Sequence, residues 1–172
     1  VAPLIHPDHR AAVHDHVTRA LAEGATLFCG GHAPTGGIYD QGSYYLPTIL
    51  SGVSNTARIC REEVFGPVLV VLPFDTEAEV IALANDNDFG LACGLWTRDF
   101  PRAYRVARAI TTGTVWINTY KQFSISTPFG GEKDAGMGRE KGREGIRAWM
   151  AQKSLYVDLT GRPHPWARIG GA

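Results

Sequence analysis

Along the chain, apolar and polar residues alternate between two rhythms. The first is helical: Val13, Val17, Ala20 and Leu21 form one stripe that predicts a helix beginning near Asp8, which can cap it, and ending at Gly24. "ATLFCGG" then reads as a short strand and leads into a Gly-rich loop, residues 30–42, without apolar period. "SYYLPTIL" is strand-like, but Pro47 removes a ladder donor, so this strand is expected at a sheet edge.

From Val68 the pattern becomes regular. Val68 to Leu72 is apolar on both faces, as strands of parallel sheets are. Asp75 or Thr76 is placed to cap a helix running to about Asn85, with Glu79 completing a capping box after Thr76. "LACGLWT" is the next strand. A helix opened by Asp99 follows, with Ala103, Val106, Ala107 and Ile110 at helical spacing and a stop at Gly113, and "TVWIN" is a third strand. Strand, helix, strand, helix, strand with short connections predicts an α/β fold: a mostly parallel sheet, three-layered, with helices on both faces. Residues 119–138 carry no period, and loops of that length in a compact domain are usually functional. A helix over 139–152, a last strand "KSLYVDL" and a Gly/Pro-rich, poorly ordered tail complete the reading.

Composition narrows the function classes. The 172 residues suit one domain of globular composition, with 44% hydrophobic and 20% charged residues. Seventeen basic residues balance seventeen acidic ones, which removes the electrostatic reason to expect nucleic acid or an anionic membrane as partner. Pro73 and Asp75 end the longest apolar stretch far short of a bilayer span, and the N-terminus lacks a secretory pattern. Cys29, Cys60 and Cys93 read as reduced thiols of a cytoplasmic protein.

Candidate chemistry is mostly weak when taken feature by feature. Gly136, Gly138 and Gly142 resemble a phosphate loop, but no strand directly precedes them and the spacing departs from the dinucleotide fingerprint. His14 and His16, two apart, point to different faces of a helix, whereas metal pairs favour a spacing of three or four; they and the pair His6 and His9 read as solvated histidines, and no metal is expected. Among the cysteines Cys60 is the least implausible nucleophile, yet no base lies near any of them in sequence. Phe123 and Phe129 flank small polar residues and Pro128; two rings on such a loop can wall an apolar pocket or simply plug the sheet end. "EEVFGPV" puts two carboxylates, a ring and a Gly-Pro turn at the mouth of a strand, where loops tend to carry function.

Taken in order, "EEVFGPVLVVLPFD", "ANDNDFGLACGLWTRD", "TTGTVWINTY" and "PFGGEKDAGMGREKGREGI" resemble the NAD(P)-dependent aldehyde dehydrogenases from Pro3 to the "KSLYVDL" strand. The resemblance is to the C-terminal third of a member. It implies residues 1–152 as a partial catalytic domain, 153–159 as an oligomerisation strand and 160–172 as a tail. In that family a cysteine thiolate adds to the aldehyde, hydride passes to nicotinamide, and water releases the acid from the thioester. The nucleophile, the general-base glutamate, the oxyanion-stabilising asparagine and the dinucleotide-binding domain have no counterpart here, and none of the three cysteines stands in the nucleophile's context.

The resemblance implies supporting roles. Glu63 would accept hydrogen bonds from the nicotinamide ribose diol, and two carboxylate oxygens suit two vicinal hydroxyls. Phe65 would pack at the nicotinamide end, Phe123 and Phe129 would line the aldehyde tunnel, and Glu140 would relay protons and order the site. Glu132 and Ala135 depart from the family's usual aromatic or aliphatic residue and serine. The expected function is thus part of an enzyme oxidising an aldehyde with NAD or NADP, inactive alone and binding the cofactor weakly or not at all. The partners expected are a small aldehyde and further copies through residues 153–159. The alternatives are a non-catalytic self-association module and, for want of a base only remotely, an ester hydrolase using Cys60.

Overall fold

The computed structural model describes residues 2–162. The first helix, α1 (Pro7–Ala22), is capped two residues earlier than the pattern predicts: the N-cap is His6, whose ring nitrogen accepts from the Asp8 N–H at 3.2 Å. Pro7 explains the shift, because its fixed φ and missing N–H suit the first helical position, and Asp8 still complements the helix dipole from the first turn. Val13, Val17 and Ala20 are buried as the stripe requires.

The α1 stripe packs on a three-stranded sheet of β1 (Thr26–Cys29), β2 (Thr48–Ser51) and β3 (Val68–Val71), in that order. β1 is antiparallel to β2, and β2 is parallel to β3. The expectation that Pro47 would put its strand at an edge is corrected here. The strand begins after the proline, at Thr48, so no ladder donor is lost and β2 takes the central position. Leu50 is fully buried against Ala20 and Ile59, the latter from the single-turn helix α2 (Arg58–Arg61). Val68 and Val70 face this core, whereas Leu69 and Val71 on the other face of β3 are 57% and 45% exposed. The both-faces-buried environment expected of β3 is therefore only half present.

α3 (Glu77–Asn85) is capped as expected: Thr76 Oγ1 accepts from the Glu79 N–H, and the Glu79 carboxylate accepts from the Asp75 N–H at 2.8 Å. Beyond it lie β4 (Phe89–Gly90), β5 (Ala92–Leu95), α4 (Phe100–Ala109), β6 (Thr114–Ile117), β7 (Glu132–Lys133) and α5 (Gly142–Arg147). Asp99 caps α4, whose Ala103 and Val106 are buried together with Ile110. β5 and β6 pair in parallel, and β4 pairs antiparallel with β7. The class is α/β with both of its four-residue parallel pairs where the apolar runs placed them. The strands nevertheless form three small sheets, because β3 and β5 do not pair.

Two C-terminal expectations change. The helix over 139–152 shrinks to the six residues of α5, since Arg139 and Glu140 are engaged upstream and Gly142 and Gly145 add backbone entropy to any longer helix. Residues 153–159 form no strand within this chain, and Leu155, Tyr156 and Val157 stand exposed. Of the tail, residues 163–172 lie outside the described residues.

Side chains of one turn, Asn85 to Asp88, hold the three sheets together. Asn85 accepts from the Thr111 N–H (2.7 Å) and donates to Ala109 O (2.8 Å), closing the end of α4. Asp86 takes an ion pair from Arg61 at 2.6 Å, and Asn55 donates to its backbone oxygen at 3.1 Å. Asn87 donates to Cys60 O at 3.0 Å, and Lys133 donates to both Asn85 O and Asn87 O at 2.7 Å.

The Arg61 guanidinium holds the Asp86 carboxyl below its ordinary pKa. A depressed folded pKa gives stability that is complete above the unfolded value, roughly 3.9, and is lost as pH falls through the folded one. Asp86→Asn is therefore expected to lower the melting temperature at pH 7, and the gap to wild type should narrow by about pH 3, closing only below the depressed folded pKa. Circular dichroism melts at both pH values check this; a gap of equal size at both would contradict the ion pair's role.

Candidate active site

The turn before β3 separates its two carboxylates sharply. Glu62 is committed to structure: its oxygens meet Arg58 Nε at 2.5 Å, His16 at 3.6 Å and Arg19 at 3.9 Å. The hydrogen bond from Arg58 leads the causes that hold its carboxyl below the ordinary range. The neighbouring Glu63 is exposed and makes no hydrogen bond or ion pair among the described residues. Its two oxygens are available to an outside donor.

Phe65 is 74% exposed and sits at φ 53°, a left-handed conformation that costs an aromatic residue roughly 1–2 kcal/mol. The ring's only aromatic neighbour among the described residues is His9, at 6.1 Å and tilted. Gly66 explains how the turn is held. A Cβ there would lie 2.7 Å from Val13 Cγ2, so only glycine lets the turn lie flat on α1. The Pro67 carbonyl then accepts from the Thr48 N–H at 2.8 Å, fixing the turn to β2. Glu63 and Phe65 line a groove of about 410 Å³ together with Cys60, Val68, Val70 and Leu72.

The long loop builds a second cluster, around Trp116 of β6. Phe123 lies edge-on to Phe129 at 5.0 Å and to Trp116 at 5.5 Å, and Tyr120 lies edge-on to Trp116 at 5.2 Å. The Trp116 indole donates to Gln122 O at 2.8 Å, which pins the loop to the strand. Trp116, Phe123 and Phe129 line a cavity of about 320 Å³ with Thr114, whose buried hydroxyl has no partner among the described residues. Lys141 holds its ammonium 4.1 Å above the Phe123 ring, a cation–π contact. A Cβ on Gly113 would come within 1.8 Å of Gly130 O, so the start of β6 and the loop touch backbone to backbone.

Glu140 joins this cluster through its main chain. Phe129 N–H donates to Glu140 O at 2.8 Å and Glu140 N–H returns to Phe129 O at 2.7 Å. Its side chain is exposed, lining a groove with Ile125, Lys141 and Trp149. The unusual Glu132 has a definite role: it pairs with Arg139, which also donates to Gly131 O at 2.6 Å and so braces the loop. Phe123, Phe129 and Glu140 are thus brought together. Glu63 and Phe65 form a separate group, sharing no lining residue with the aromatic cavity.

The other candidates find different employment. The Gly142 N–H donates to Ile125 O at 2.8 Å, and α5 is a single short helix, so the glycines serve the loop rather than a phosphate. His6 caps α1, His14 meets Tyr45 Oη at 3.0 Å and His16 lies beside Glu62; among the described residues no group of His, Cys, Asp or Glu gathers as a metal site. Burial pushes the Cys60 and Cys93 thiols up, away from nucleophilic thiolate, and the exposed Cys29 contacts only Pro47 O. Sequence reading missed Trp116, Thr114 and Lys141. Trp116 carried the one available signal, a large ring at a strand position preceding an aromatic loop.

A model of the aldehyde dehydrogenase family matches residues 1–155. This chain belongs to that family. Among curated aldehyde dehydrogenases, the betaine aldehyde dehydrogenase of Mesorhizobium japonicum is 44% identical over 158 residues, 92% of this chain and 32% of the relative. That of Brucella melitensis is 44% identical over 159 residues, 92% of this chain and 33% of the relative. Among solved structures, betaine aldehyde dehydrogenase of Staphylococcus aureus superposes with a TM-score of 0.90 at 38% identity, covering 95% of this chain and 33% of that one. The Mycobacterium tuberculosis aldehyde dehydrogenase complexed with NAD+ gives 0.86 at 41%, again covering 95% and 33%. The chain spans about a third of the length of these aldehyde dehydrogenases.

The strained turn yields a test. Phe65→Gly relieves the left-handed strain, loses little buried ring and gives the unfolded chain more freedom, so its stability should stay within about 1 kcal/mol of wild type. Gly66→Ala, which drives a methyl into Val13, should cost about 1–3 kcal/mol. Urea unfolding of both variants checks the pair. A large loss from Phe65→Gly would mean that the ring holds the fold and is not displayed for a ligand.

Proposed function

We propose that this chain is the part of an NAD(P)-dependent aldehyde dehydrogenase that grips the nicotinamide end of the cofactor and walls the aldehyde channel. The observation that carries this reading is the division of labour at Glu62 and Glu63: one carboxylate is spent on three basic partners, while its neighbour faces solvent unpaired beside an exposed, strained phenyl ring. Strain retained without a packing gain points to a ligand. A carboxylate with two open oxygens fits a vicinal ribose diol, and the Phe65 ring offers a flat apolar face to a nicotinamide.

The cofactor supplies the hydride acceptor when bound. Glu63 accepts the ribose hydroxyls and Phe65 limits where the ring can lie. Trp116, Phe123 and Phe129 present an apolar wall that excludes water from an aldehyde. Glu140, tied to Phe129 by two main-chain hydrogen bonds, holds a carboxylate at the rim of that wall, suited to exchanging protons with solvent. No thiol in this chain has the exposure and basic neighbour that a nucleophile needs, so the chain by itself does not turn over aldehyde.

A second reading, a non-catalytic module that associates with copies of itself, is favoured by one feature. Residues 153–159 are exposed and belong to no helix or strand, leaving Leu155, Tyr156 and Val157 open to pairing with another chain. Sedimentation at micromolar concentration separates the two readings, because a clean monomer removes the second.

The purified chain, given aldehyde and NAD, is expected to form no reduced cofactor above background and to bind NAD more weakly than millimolar by calorimetry. Co-expressed with the unmatched two-thirds of a betaine aldehyde dehydrogenase relative, it should give turnover that Glu63→Gln lowers by roughly 10- to 100-fold in kcat/KM, the range of one hydrogen bond to a charge. Turnover by the chain alone, or full activity of the Glu63→Gln complex, would overturn the reading.

A further inference from the structure

The aromatic wall carries two ammonium groups that no carboxylate among the described residues neutralises. Lys141 Nζ lies 4.1 Å from the centre of the Phe123 ring and 6.0 Å from that of Phe129. Lys121 Nζ lies 5.8 Å from the centre of Tyr120, the ring that stands edge-on to Trp116. The acids nearby in sequence do not pair with them. Glu132 is engaged with Arg139 and Glu144 with Arg147, and Glu140 lines a groove with Lys141 without forming an ion pair.

Both lysines also hold left-handed backbone, at φ 54° for Lys121 and 61° for Lys141. Lys133 shares that conformation, but its ammonium makes two main-chain hydrogen bonds. Among the described residues Lys121 and Lys141 have only the rings, so their strained placement is not explained by the bonds they make. The positive charge is local. Seventeen basic and seventeen acidic residues leave the whole chain without a net field that favours either sign of ligand.

An aromatic wall attracts cations through the negative faces of its rings. Here Phe123 and Tyr120 already offer a face to the chain's own ammonium groups. A ligand cation would compete with them and be repelled by them, whereas an anion would meet two donors without acid partners. Lys141 is half-buried, which weakens screening by solvent and salt; the exposed Lys121 adds a more strongly screened attraction. The adjoining cavity supplies Trp116, Phe123 and Phe129 as the lining for an apolar body.

We propose, resting on the reading of this wall as an aldehyde channel, that Lys121 and Lys141 set its substrate class. That class is an aldehyde with an apolar body and a carboxylate at its far end, and aldehydes bearing an ammonium group are rejected.

The test is binding to the isotope-labelled chain, followed by two-dimensional NMR of the Trp116 indole N–H and assigned with Trp116→Phe. Hexanoate, hexanol and hexylammonium serve as probes, since they share one body and differ in charge. Attraction and repulsion each contribute a few-fold per lysine, so hexanoate should bind at least about tenfold more tightly than hexylammonium, with hexanol between. Lys141→Met should shrink that ratio, and adding Lys121→Met should bring it within about twofold, while arginine at both positions keeps the preference. A merely structural role for the lysines would not move the ratio of anion to cation. Equal binding of the three probes, no saturable shift with any of them, or an unchanged ratio in the double methionine variant overturns the assignment. Neither cofactor nor turnover enters this measurement. Charge selection beside a fully active Glu63→Gln complex therefore sinks only the cofactor grip, and equal binding beside a working Glu63-dependent complex sinks only the charge selection.

Discussion

No backbone ladder connects the three sheets of this chain, and each parallel pair has only four residues a side. What makes them one body is the turn Asn85–Asp88, where short polar side chains reach the end of α4, the α2 segment and β7 at once. Such a turn suits asparagine and aspartate because their amides and carboxylates bond main-chain groups within two or three bonds of their own backbone. The network is mostly side chain to main chain. It therefore fixes the positions of neighbouring segments and not merely of neighbouring charges. Arg61 and Lys133, the two long cations that close it, approach from opposite ends of the sequence.

That constraint sets where the candidate functional groups stand. Arg61 and Cys60 are held by Asp86 and Asn87, and the acidic turn with Glu63 and Phe65 begins directly after them. Lys133 and Asp134, held by Asn85, Asn87 and Asp88, anchor the loop that carries the aromatic wall. Both halves of the site hang from one turn, although they share no lining residue. Close backbone approaches finish the placement, Gly66 on Val13 and Gly113 on Gly130. At those points side-chain volume, not polarity, is what the fold excludes.

No residue of α3 is fully buried, and Leu69 and Val71 on one face of β3 are exposed, in a chain that spans about a third of the length of its curated relatives.

Most elements were legible in the sequence because their signals are local. The stripe on α1, the Thr76 and Asp99 caps and the strands at Val68, Ala92 and Thr114 all depend on residues a few positions apart, whereas α4 ends at Ala109, short of the stop expected at Gly113. The family motifs named Glu63, Phe65, Phe123, Phe129 and Glu140 by the same route, through order and spacing along the chain. Tertiary structure completed the division between the two adjacent glutamates, because His16 and Arg19, on a helix some forty residues away, join the local Arg58 around Glu62. It likewise decided that β2 is central despite Pro47, that the helix after Arg139 is short, and that Trp116 and Lys141 belong to the aromatic wall. Sequence spacing encodes the bonds a segment makes with itself; pairing, packing and charge neutralisation depend on what the fold brings alongside.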